Sequence, residues 1–291
     1  MIKHLVINGG GPTGMLCYGA IKHLFEAGFI HLDNIKSIYG TSAGAIIATI
    51  ITLKYDWKTL DDYFLKRPWS KVFKMEPDNF INMYYNKGMF QFSMVKEILK
   101  PLLTAKDLTE EITLKEYYEY NKIDLHFFTV EMNQFQKIDV SHKTHPDLSL
   151  VTALEMSSSV PILFKPVIDG ENCYVDGSLF DNYPLNECLR HEQCNEDEVL
   201  GIKNKWSNLE QNIDDEMNIF QYLQASMSKI IKFIQIDSTP KPIKYELKCI
   251  CDKKLADVST WFEYLTNTEM MDELIEEGKS YADLFLNYEK E

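Results

Sequence analysis

Ser42 stands between two glycines in Gly40-Thr41-Ser42-Ala43-Gly44, and the residue types on either side could make it a nucleophile. Ile35, Ile38 and Tyr39 before it read as a short buried strand, and the Ala/Ile run from Ala45 to Ile51 reads as a helix packed against a sheet. A serine at such a strand-to-helix turn is built like a nucleophile elbow. The glycines let strand and helix approach closely, and the sharp turn pushes the hydroxyl into open space. The helix start adds free backbone N–H groups and the positive end of a dipole, which favour negative charge developing beside Ser42. Taken alone, the string also fits a glycine-bounded loop with a solvent-facing serine, so partners must be sought elsewhere.

Asn8-Gly9-Gly10-Gly11-Pro12-Thr13-Gly14 is the second chemical stretch. Its Gly9-x-Gly11-x-x-Gly14 spacing matches the dinucleotide fingerprint, with Asp33 about 20 residues on. Asp33, however, precedes the next strand instead of ending it, which puts it at the wrong end of a sheet. The other reading is a loop whose backbone N–H groups turn toward an anion, helped by the following helix dipole. Asp176-Gly177 closes a strand and, read locally, is a turn-former. His191 is the sole histidine after Asp176, in the polar stretch Arg190-His191-Glu192-Gln193, so a Ser-His-Asp triad in α/β-hydrolase order is poorly supported. Ser157, Ser158 and Ser159 lack flanking glycines and read as a helix end broken by Pro161.

The elements that must position these residues follow from periodicity. A strand over 2–7, a helix over 15–27 stopped by Gly28, and the strand and helix around Ser42 make a strand–helix–strand–helix unit. A right-handed crossover makes its two strands parallel, so the glycine loop and Ser42 share one crevice at their carboxyl ends. Further strands are expected at 123–130, 136–140 and 198–202, a hairpin at 166–168 and 172–175, and helices at 148–158 and 182–191. After Trp206 a long helical pattern, marked by Leu223, Met227, Ile230, Ile231 and Ile234, predicts a helical extension over 206–291. Between Phe64 and Val95, Lys66, Arg67, Lys71, Lys74 and Lys87 interleave with Trp69, Phe73, Phe80, Tyr84, Tyr85 and Phe90. That mixture suits either a lipid–water interface or a cap packed on the sheet with solvated lysines.

Composition narrows the classes. Thirty basic against 44 acidic residues give a net charge of -14, which repels nucleic acid and, taken globally, anionic membranes. The six cysteines include no C-x-x-C pair, so neither a zinc site nor a disulfide framework is expected, and free thiols suit a reducing compartment. No secretory or membrane-spanning stretch is read, which leads to the expectation of a cytoplasmic protein whose membrane contact is peripheral.

Gly9-Gly10-Gly11-x-x-Gly14, Gly40-x-Ser42-x-Gly44, Ser157-Ser158-x-x-Pro161 and Asp176-Gly177, in that order, resemble the patatin-like phospholipases over roughly residues 1–205. The resemblance implies an α/β fold, three-layer α/β/α with a mainly parallel central sheet, in a domain 1–205 that carries the helical extension 206–291. It implies a phospholipase A-type lipid acyl hydrolase with Ser42 as nucleophile and Asp176 as base. Gly9, Gly10 and Gly11 would form the oxyanion loop, to which Pro12, lacking an N–H, cannot contribute. Gly14, Gly40, Gly44 and Gly177 would shape the turns. Lipid esters at a membrane or micelle surface are the implied partners, with no metal, organic cofactor or nucleic acid. Two positions depart from the family pattern: Thr13 stands where Arg or Lys is usual, and Ser178 where Ala or Gly follows Asp-Gly. The rival readings are a patatin-like protein that binds lipid without cutting it, and a dinucleotide-binding module.

Overall fold

Alternation along the strands sets the layers. The computed structural model describes residues 1–73, 85–90, 93–206, 213–235, 240–251 and 258–289. In β1 (His4–Ile7), Leu5 and Ile7 face one apolar cluster and Val6 the other. β2 (Ser37–Thr41) divides Ile38 from Tyr39 in the same way. Buried on both faces, these strands are apolar without interruption. The first face takes α1 (Gly14–Glu26), α2 (Ala43–Thr52), α3 (Trp57–Lys66) and α4 (Trp69–Val72). Strand β3 (Gly88–Phe90) and helices α5 (Met94–Thr104) and α6 (Leu114–Asn121) follow. Then come β4 (Asp124–Glu131), β5 (Gln136–Val140) and α7 (Leu150–Ser158), whose Leu150 and Leu154 join the same core.

β6 (Ile162–Phe164), β7 (Val167–Asp169) and β8 (Asn172–Asp176) precede α8 (Leu185–Glu192), which packs Leu185 and Cys188 on the opposite face against Val6 and Tyr39. The sheet thus lies between two helical layers. With β9 (Val199–Trp206) and β10 (Tyr245–Cys251), its order is β10-β9-β1-β2-β4-β8-β7, and β5 pairs with β4. The pairs from β10 to β4 are parallel; β5, β7 and β8 pair antiparallel. Register aligns Ile7 with Gly40, so the glycine loop and the Ser42 turn leave the sheet side by side, as the crossover argument requires.

The stretch 206–291 departs from the expected all-helical extension. Helices α9 (Ile219–Gln235), α10 (Val258–Thr266) and α11 (Thr268–Tyr288) are there, but β10 extends the central sheet as its edge. Its alternation, with Leu247, Cys249 and Cys251 buried and Lys248 and Ile250 exposed, is that of a half-covered edge strand. α11 lies so close to α1 that a side-chain carbon at Gly19 would meet the Ile275 carbonyl at 2.0 Å, and one at Gly278 the Leu16 carbonyl at 2.1 Å.

The interface reading of the 64–95 segment also changes. Trp69, Phe73 and Phe90 are buried in apolar clusters, and Arg67 stacks its guanidinium over Trp69 at 4.5 Å. These three aromatics are buried, whereas Tyr85 of the same segment is 71% exposed. Lys74, Phe80 and Tyr84 lie outside the described residues.

Candidate active site

Ser42 ends β2 and opens α2 with φ 56° and ψ -125°, a conformation that costs a non-glycine residue about 1–3 kcal/mol and persists only where its surroundings enforce it. Three contacts do so. A side-chain carbon at Gly44 would meet the Ile7 carbonyl at 2.3 Å, and one at Gly40 the Ala45 nitrogen at 2.8 Å, so the turn closes only with glycine at both positions. The Ser42 N–H donates to the Ser157 hydroxyl at 3.0 Å, and that hydroxyl donates to the Phe128 carbonyl at 2.7 Å. Ser157, read from the sequence as part of a helix end broken by Pro161, is a fully buried brace between α7, β4 and the elbow.

Asp176 ends β8 and is completely buried. Burial pushes its pKa up; hydrogen bonding from the Ser42 side chain, and then from Ser178, pulls it back down. Oδ1 accepts the Ser178 N–H at 2.8 Å, whereas Oδ2 has no hydrogen bond of ordinary length and angle. The Ser42 side chain lies close enough to the carboxylate to lower its pKa, and contacts of this kind often tighten only when substrate is bound. Gly177 follows in a turn that passes the Phe128 carbonyl, which a side-chain carbon there would meet at 2.3 Å.

The glycine loop is held from behind. The Gly9 N–H donates to the Asn182 carbonyl at 3.0 Å, so Gly9 has no N–H to offer and leaves the expected set of oxyanion donors. Its carbonyl accepts from the amides of Asn8, Asn182 and Asn204. In a trans peptide the next N–H points the opposite way, so Gly10 directs its N–H away from that amide cluster. The Gly10 carbonyl is likewise held by the Thr13 hydroxyl at 3.1 Å, which turns the Gly11 N–H outward. Neither N–H has an acceptor among the described residues. Buried Thr13 also accepts from Asn204 at 2.6 Å. Thr13, which departs from the family pattern, therefore clamps the loop. Asn204 and Asn182 carry no sequence signal that could have marked them.

Ser42, Gly11, Gly14 and Ala43 line one cavity of about 400 Å³, within the range of small-molecule sites. Its remaining wall is mainly apolar: Met15, Ile46, Ile47, Phe90, Met94, Val95, Ile98, Val160, Phe164, Val167, Ile168, Trp261 and Leu265. Phe90 and Phe164 come from a small parallel pair, β3 with β6, which periodicity did not reveal. Lys165 and Glu155 are the charged side chains in the lining. A serine at the end of an apolar chamber suits an ester with a hydrocarbon chain.

A scan against family models matches the patatin-like phospholipase family over residues 5–189. The chain belongs to the patatin-like phospholipase family. By that membership it is a carboxylic ester hydrolase. It is 24% identical over 225 residues to the probable lipid hydrolase 463L of Invertebrate iridescent virus 6, covering 72% of this chain and 73% of that one. It is 26% identical over 186 residues to the uncharacterized protein R571 of Acanthamoeba polyphaga mimivirus, covering 63% and 60%. Among solved structures, VipD from Legionella pneumophila matches with a TM-score of 0.58 at 17% identity, over 99% of this chain and 67% of that one, a likeness of fold.

His191 does not join this site. Its partners are Arg190 at 3.1 Å, Asp139 at 3.6 Å and Glu187 at 3.8 Å, and its ring lies near His126 and Tyr39. His126, Asp139 and His191 bring ligand-capable atoms within 4.8 Å of one another, as do Asp124, His126 and Glu192. His126 Nδ1 is hydrogen-bonded to Asp139, and Nε2 lies 3.3 Å from Asp124. Burial opposes its charge, yet these two carboxylates raise its pKa to about 9, which makes the cluster an ion-pair network around an imidazolium. The residues come from β4, β5 and α8, so no sequence spacing shows them. Among the described residues no helix is long and apolar enough to cross a membrane.

Proposed function

We propose that the chain is a phospholipase A-type acyl hydrolase working through a Ser42–Asp176 dyad. Asp176 takes the Ser42 proton, the alkoxide attacks the ester carbonyl, and the tetrahedral oxyanion accepts from the Gly10 and Gly11 N–H groups. The alcohol leaves with the proton from Asp176. Water, deprotonated by the same carboxylate, then releases the fatty acid from the acyl-enzyme. Burial supplies the basicity that an ordinary aspartate, near pKa ~3.9, lacks.

One observation carries the reading: a conformationally forced serine lines an apolar cavity and lies close to a buried carboxylate. Lys165 is the basic side chain in the lining and faces the role that the missing Arg or Lys at position 13 would have had, meeting a headgroup phosphate. The test is labelling by a fluorophosphonate probe. The parent is expected to label at Ser42, Ser42→Ala and Asp176→Asn to lose ester hydrolysis, and His191→Ala to keep it. Lipid binding without labelling would instead identify a member that has lost catalysis, and an inactive His191→Ala with an active Asp176→Asn would replace the dyad by a triad.

A further inference from the structure

A chain with a net charge of -14 that cuts membrane lipids needs a surface that overcomes repulsion from anionic bilayers. Helix α9 has such a surface. Ile219, Tyr222, Leu223, Ile230 and Phe233 recur three, four, eleven and fourteen residues after the first, which puts them on one helical face. All five are exposed, Ile219 at 70%, Ile230 at 59% and Phe233 at 76%. A packed helix would turn this stripe inward. Here the other side is covered: Ala225 is buried, and Ile231 packs on the cluster of Val130, Val175 and Leu179. The helix has Lys229 and Lys232 and no acidic residue, opposite in sign to the chain as a whole.

Its position gives the stripe a purpose. The cluster under Ile231 includes Val175 and Leu179, on either side of Asp176 and Gly177. Phe180 packs on the same cluster and touches Phe135, half exposed in the β4–β5 turn, at 4.9 Å between rings. Ile168, exposed on β7, lines the cavity that holds Ser42. Exposed apolar groups thus lie on three segments that pack beside the strand of Asp176 or line the cavity.

We propose that the α9 stripe, with Phe135 and Ile168, is the surface on which this enzyme docks to an anionic phospholipid bilayer, its apolar side chains entering the acyl boundary and Lys229 and Lys232 meeting lipid phosphates. The proposal rests on the acyl-hydrolase reading and puts the cavity mouth against the substrate's own phase. Flotation of the full chain with vesicles of phosphatidylcholine and phosphatidylserine, compared with phosphatidylcholine alone, tests it. I230E/F233E is expected to bind at least about tenfold more weakly, while hydrolysis of a soluble short-chain ester and the melting temperature stay those of the parent. K229E/K232E loses the preference for phosphatidylserine. Ser42→Ala binds vesicles undiminished, so a parent that binds but hydrolyses no ester sinks the catalytic reading and leaves the surface standing. Undiminished binding by I230E/F233E overturns the surface. So does a dimer in solution that this variant dissociates, because the stripe is then covered by a second copy.

Discussion

Removing one hydroxyl, at Ser157, tests the frame of the elbow while leaving Ser42 and Asp176 in place. In Ser157→Ala the Ser42 N–H loses its acceptor at 3.0 Å, and the Phe128 carbonyl loses a donor at 2.7 Å. A buried donor left without a partner costs about 1–3 kcal/mol, here taken as about 2. Unfolding entropy of about 2.1 cal/mol/K per residue, over 291 residues, converts that cost into a fall in Tm of about 3 °C. The kinetic effect is larger, because Ser42 is held in a strained conformation that this bond helps to enforce. A shift of the hydroxyl by about 1 Å costs on the order of 100-fold in rate. The expectation is a kcat on a soluble p-nitrophenyl ester lowered about 10- to 100-fold with KM little changed, and labelling of Ser42 slowed in parallel. Ser157→Thr, which keeps the hydroxyl, should recover part of the rate. A variant with the lower Tm but full kcat would make Ser157 a structural residue only and refute the reasoning about strain.

Asp176→Asn should abolish hydrolysis yet raise Tm at neutral pH. The folded-state pKa of Asp176 is raised by burial, so its stabilising contribution is complete below the ordinary carboxylate pKa and lost as pH rises through the folded value. The stability gain of the variant should therefore shrink toward acidic pH, and the acid limb of parental kcat/KM should fall above the usual carboxylate range. His126, raised to about 9, contributes stability that is full below its unfolded pKa of ~6.5 and lost as pH passes about 9. Parental Tm should drop between neutral pH and pH 10. His126→Asn should flatten that slope and cost about 3 kcal/mol at neutral pH, because Asp139 and Asp124 lose the imidazolium they share, Lys143 remaining on Asp124 alone. Lys165→Met should raise KM for an anionic phospholipid about threefold, the scale of an exposed ion pair, and leave a neutral ester unaffected.

The strand–helix–strand–helix start was legible because every link in it is local. Glycines bound the Ser42 turn, Gly28 stops the first helix, and the hairpin around Asp169-Gly170-Glu171 announces itself by turn chemistry. β10 was hidden for a physical reason. It is an edge strand with one covered face, so its alternating Leu247, Cys249 and Cys251 are a short signal between two much longer helical patterns. β3 and β6 are three residues each and owe their extended form to pairing with one another. The supports of the site were illegible for a related reason. Ser157, Asn182 and Asn204 act by where their polar atoms end up, on backbone groups 115 to 195 residues away, and no spacing rule reaches across such separations.

Residue type also failed to say which aromatic and basic groups meet the outside. The segment 64–95 has the composition of an interface, yet Trp69, Phe73 and Phe90 close a core and Arg67 spends its planar face on Trp69. Periodicity in α9 looks like that of any helix packed on a domain, yet its apolar stripe faces outward. The spacing of apolar residues establishes that a helix has two unlike faces; which of them is covered depends on the neighbour. For α9 the neighbour is the Val175–Leu179 cluster, on which Ile231 packs, while Ala225 is buried on the same side of the helix. The wider face carries exposed Ile219, Ile230 and Phe233, and neighbours alone, not spacing, decide that it stays uncovered.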